Sequence, residues 1–68
     1  MRLSARNQIR GTVTAVTKGQ TTGHVTIDIG GGVVITSAIT NEAIDDLGLV
    51  LGDEAYAVIK ASDVMVGK

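Results

Sequence analysis

Two short polar segments hold the side chains best suited to chemistry: Ser4-Ala5-Arg6-Asn7-Gln8 near the start and Lys60-Ala61-Ser62-Asp63 near the end. Each combines a hydroxyl, a cation and backbone N–H groups beside a small alanine that permits close approach. That mixture suits a tetrahedral dianion stripped of water, because a buried charge without several compensating donors is costly. The alternative is plainer: Arg6 and Lys60 are ordinary strand-end surface charges, with Asp63 and Glu54 as available partners. Composition alone favours that alternative.

No other constellation argues for bond-making chemistry. His24 is the only imidazole, and it lies in a strand pattern, whereas a Ser or Thr nucleophile needs an adjacent base. Asp45 and Asp46 are neighbours in a helical segment, where they point about 100° apart and cannot face each other as a carboxylate pair. His and carboxylates never recur at metal-ligand spacing, so no residue is expected to bind a cation. Gly30-Gly31-Gly32 lacks the following helix and lysine of a phosphate loop and reads as a hairpin turn. The expectation is a binding module, not an enzyme, with no cofactor.

The elements that must position the two segments follow from periodicity. Ile9, Gly11, Val13 and Ala15 alternate with Arg10, Thr12 and Thr14, which predicts a half-buried strand over Asn7–Lys18. A turn over Gly19–Gly23 leads to a second strand in which Val25, Ile27 and Ile29 alternate with His24, Thr26 and Asp28. The glycine triplet joins it to a third strand, Val33–Ile39. Thr40 is placed to N-cap a short helix over Asn41–Leu47. Ile39 and Ile44 sit at hydrophobic-staple positions, and Gly48 at the C-terminal glycine position. Glu54–Lys60 forms a fourth strand and Ala61–Val66 a short fifth. The predicted fold is all-β, a five-stranded OB-like barrel with one short helix.

Sixty-eight residues make a single domain over 1–68. A domain this small usually needs outside stabilisation. With no Cys, one His and neither Phe nor Trp, disulfides and Cys-ligated zinc are excluded, and a homo-oligomer is the remaining route. Six Lys and Arg against seven Asp and Glu, with Tyr56 the one aromatic residue, do not suit nucleic acid, which needs a basic groove and stacking platforms. No polybasic run, signal peptide or membrane span is visible, so no membrane partner is expected and the cytoplasm is the expected compartment.

The segment Ser4-Ala5-Arg6-Asn7-Gln8-Ile9-Arg10-Gly11-Thr12-Val13 resembles the opening of the molybdate-binding Mop family, the molbindins. Ala38-Ile39-Thr40, Leu47-Gly48-Leu49 and Ile59-Lys60-Ala61-Ser62-Asp63-Val64-Met65 match the same family in order. The resemblance implies an OB-like domain, assembled as a hexamer (a trimer of dimers), that holds molybdate or tungstate between subunits for molybdenum storage and homeostasis. Carried over by position, Ser4, Ala5 and Arg6 come from one subunit and Thr40, Lys60 and Ser62 from its neighbour. Some members have a Ser three residues after the Thr of the Ile-Thr motif, where this chain has Ala43. The Ala43 N–H, in the helix first turn, is expected to stand in for that hydroxyl. Glu42 is expected to point away. A second oxyanion site near the three-fold axis is placed at Gly19, Gln20, Thr21, Thr22 and His24. Two other readings stay open, a molybdate-sensing module that signals to a partner and an OB domain for single-stranded nucleic acid.

Overall fold

One strand serves two partners, and that sharing shapes the sheet. In the computed structural model, which describes all 68 residues, the strands are β1 (Asn7–Lys18), β2 (Thr22–Gly30), β3 (Val33–Thr40) and β4 (Glu54–Ile59). Helix α1 (Asn41–Leu47) lies between β3 and β4, and a 3-10 turn, Ala61–Asp63, follows β4. The order across the sheet is β3-β2-β1-β4, with every neighbouring pair antiparallel. Asn7–Thr12 of β1 pairs with β4, and Thr12–Lys18 pairs with β2.

A strand shared in this way must coil, and a bulge supplies the bend. Val13 stands opposite Ile27 while Ala15 stands opposite Thr26, leaving Thr14 as the inserted residue. Ile9 and Val13 face the core before the bulge, and Val16 packs there after it. The alternation had carried Ala15 inward. It does not pack against the core cluster, because an inserted residue reverses the two-residue period beyond it. Thr14 turns outward, its hydroxyl 2.8 Å from that of Thr26.

The core is small and aliphatic: Val13, Val25, Ile27, Ile44 and Ala57 are buried. Helix α1 contributes Ile44, and its ends are built as the sequence requires. The Thr40 hydroxyl accepts from the Ala43 N–H at 3.0 Å, and Gly48 closes the helix with φ 62°. Ile39 packs against the same core cluster as Ile44, in keeping with the staple positions. The helix sits close on β2 because residue 23 is glycine. A Cβ there would lie 2.6 Å from Ile44 Cδ1 and 2.8 Å from the Thr17 carbonyl oxygen. At the other end of β2, Gly31 and Gly32 take φ values of 62° and 79°, the positive pair that a two-residue hairpin turn needs. The Asp28 carboxylate accepts from the Gly30 N–H at 2.8 Å and steadies that turn.

The fifth strand does not form within the chain. Ala61–Asp63 curls instead into a 3-10 turn, with the Asp63 N–H on the Lys60 carbonyl at 2.8 Å and the Val64 N–H on that of Ala61 at 3.2 Å. The result is a four-stranded half-barrel rather than the expected five. An open seam between β3 and β4 leaves a groove of ≈ 260 Å³, lined mainly by Val25, Ile39, Leu49, Ala55, Tyr56 and Val58. No helix is long and apolar enough to cross a membrane.

Candidate anion-binding site

The β1–β4 ladder brings the two polar segments together. Asn7 pairs with Ile59, so Ser4–Arg6 and Lys60–Ser62 flank the same end of the sheet. The Asn7 side-chain amide donates to the Ile59 carbonyl at 3.2 Å, and the Gln8 amide donates to the Ala5 carbonyl at the same distance. Six backbone N–H groups, those of Ser4, Ala5, Arg6, Lys60, Ala61 and Ser62, donate to nothing within the chain. Arg6 and Lys60 form no ion pair with Asp63 or Glu54. The chain's one salt bridge joins Lys18 to Asp45 at the opposite end. Both cations are exposed at strand ends, as the plainer alternative also expects, and this end of the molecule presents two unpaired cations, two hydroxyls and a set of open amides.

The other end of β1 carries the remaining candidates. Thr22 pairs with Thr40, and Thr17 and Ala38 flank His24, whose side chain is exposed. The Gly19 N–H donates to the Thr22 carbonyl at 3.0 Å, closing the turn around Gln20 and Thr21. Asn41 ties this turn to the helix. Its backbone N–H reaches the Thr21 carbonyl at 2.8 Å and its side-chain amide the Gly19 carbonyl at 2.9 Å. Its Oδ1 is buried without a partner. No group of three or more His, Asp or Glu side chains is placed to hold a metal ion.

This geometry, an OB-like half-barrel with open amides at both chain termini, has clear relatives. The TOBE domain family model matches residues 3–66. The chain belongs to the TOBE domain family. It falls among the Mop proteins of that family: molybdenum-pterin-binding protein 3 of Clostridium pasteurianum is 50% identical over 66 residues, covering 97% of both chains. The solved molybdate-binding protein from Sporomusa ovata superposes with a TM-score of 0.93 at 35% identity, covering both chains completely. The cytoplasmic molybdate-binding protein ModG, solved with molybdate bound, gives a TM-score of 0.90 at 49% identity over 96% of this chain and 46% of its own.

Within this Mop chain, two details of the expected site change. Thr40 does not lie with Lys60 and Ser62, because the ladders place them at opposite ends of the twelve-residue β1. Within one chain, Thr40 stands beside Thr22 at the far end of β2–β3, and Lys60 follows Ile59 beside the start of β1. Ala43 is also a poor stand-in for a hydroxyl, since its N–H is already engaged by the Thr40 side chain. That same bond leaves the Thr40 hydroxyl proton free to donate outward, because the oxygen acts as acceptor in the cap. Glu42 is exposed. Asn41 was missed by sequence reasoning. Its two contacts span from residue 41 back to residues 19 and 21, and no local pattern signals a bond over that distance.

Proposed function

We propose that this chain reversibly binds molybdate, and tungstate with it, at the end of β1 flanked by Ser4–Arg6 and Lys60–Ser62, and so serves intracellular molybdenum storage. The observation that carries this reading is the unpaired donor set: six open backbone N–H groups beside unpaired Arg6 and Lys60. A tetrahedral dianion offers acceptors on every side and no proton, and hydrogen bonds between charged groups and amides are the stronger kind. No bond to the metal is made or broken, so loading and release follow concentration. The solved ModG structure holds molybdate, and the relative at 50% identity is named for binding a molybdenum-pterin, so both support a molybdenum-containing ligand.

The site is completed by a second copy. The chain leaves 5208 Å² accessible, whereas a folded monomer of this mass leaves about 4,000 Å². The excess, about 1,200 Å², is more than the roughly 800 Å² one subunit gives to a standard interface. Leu47, Leu51, Met65 and Val66 are prominent in that excess, each at least 68% exposed. Val64–Val66, unpaired in its own chain, supplies the absent fifth strand to the open seam of a neighbour, and Thr40 of another copy joins the anion. A hexamer of three such dimers is the assembly in this reading, in the cytoplasm.

Calorimetric titration with molybdate, combined with native mass measurement, tests the proposal. Saturable binding at a fixed number of sites per assembly is expected, with Lys60→Ala weakening it at least tenfold. An absence of heat and of any rise in Tm at millimolar molybdate would overturn it, because a ligand bound only by the folded assembly must raise Tm.

A further inference from the structure

The two amide side chains that follow Arg6 have no place in the donor set, yet both act on its peptides. Gln8 Nε2 donates to the Ala5 carbonyl, and Asn7 Nδ2 donates to the Ile59 carbonyl, each at 3.2 Å. A trans peptide points its C=O and the following N–H in opposite directions. Holding the Ala5 oxygen therefore aims the Arg6 N–H to the other side, and holding the Ile59 oxygen does the same for the Lys60 N–H. Both of these N–H groups are open. Released, the Ala5–Arg6 peptide could rotate and offer a carbonyl lone pair where a donor now stands, whereas the Ile59–Lys60 peptide is also held by the β1–β4 ladder.

That difference matters for selectivity. Molybdate, tungstate and sulfate are fully deprotonated near neutral pH and accept hydrogen bonds only. Hydrogenphosphate has the same tetrahedral shape but carries a proton, which needs an acceptor when desolvated. A buried donor left without an acceptor carries a penalty of the order that separates good ligands from poor ones. Recognition sites achieve their largest discrimination this way, by leaving the wrong ligand's polar group unpaired.

Resting on the molybdate reading above, we infer that Gln8 is a positioning residue that keeps the Ala5 carbonyl turned away, so that the site is donor-only and rejects protonated oxyanions. Gln8 is exposed, which makes its replacement structurally mild. Its single hydrogen bond is the one feature lost in Gln8→Met, which keeps the side-chain length.

The test titrates wild type, Gln8→Met, Asn7→Ser and Lys60→Ala with molybdate, alone and against excess inorganic phosphate, with Tm of each unliganded protein as a folding control. Expected for Gln8→Met is an unliganded Tm near wild type, a molybdate Kd raised about fivefold to tenfold, and phosphate competition that is absent in wild type. Asn7→Ser, in which the ladder still holds the Ile59 carbonyl, should leave phosphate competition absent. A raised molybdate Kd in Gln8→Met with phosphate competition still absent would mean that the side chain only supports the fold. A Gln8→Met protein that binds like wild type while Lys60→Ala does not would overturn the inference and leave the site standing. If wild type itself binds no molybdate, the proposed function fails and this inference with it.

Discussion

Gly23 is where the packing of helix α1 can be tested most sharply. The Cβ of Gly23→Ala would sit 2.6 Å from Ile44 Cδ1, 2.8 Å from the Thr17 carbonyl oxygen and 3.2 Å from Asn41 Oδ1. The Ile44 terminal methyl can be removed by Ile44→Val, but the Thr17 contact is backbone and cannot. Overpacking of this kind costs about 2 kcal/mol, and Ile→Val at a fully buried site costs about 1 kcal/mol. Independent effects would sum to roughly 3 kcal/mol, within the additive rule for separate sites. The two residues share one clash, so the double variant should lose only about 2 kcal/mol, a coupling of roughly 1 kcal/mol. Gly23→Ala alone should lower Tm by roughly 10 °C for a domain of this size. Urea denaturation followed by far-UV circular dichroism, at one fixed protein concentration, measures all four corners of the cycle. Strict additivity would refute the argument that α1 seats on β2 through this contact.

Thr40→Val removes the cap to the Ala43 N–H and should destabilise the chain by about 1 kcal/mol, whereas Thr40→Ser, which keeps the hydroxyl, should be close to neutral; matched thermal melts decide it. Deleting Val64–Lys68 should shift native mass toward the single chain and abolish the molybdate-induced rise in Tm, and an unchanged assembly would remove the tail from the interface. Lys60→Ala should reduce molybdate affinity without changing the unliganded Tm, since Lys60 has no partner within the chain.

Much of this protein was legible from residue order. Asn7–Lys18, the Asn41–Leu47 helix, its Thr40 cap and its Gly48 terminus all stand where periodicity and capping chemistry placed them, because each depends on neighbours within a few residues. The two polar termini were visible as segments rich in donor residue types, although composition alone favoured ordinary surface charges there. The Thr14 bulge was not, because only the partner strand can reveal an inserted residue, and the strand pattern continued across it. Nor was the fate of Ala61–Val66: its composition permits a strand, but a strand needs an edge to pair with, and the chain turns locally instead. Most consequentially, sequence grouped Thr40 with Lys60 and Ser62, whereas the ladders set them at opposite ends of β1. Donor chemistry is a property of residue type and was readable from the sequence; which donors meet depends on strand register, which tertiary structure decides.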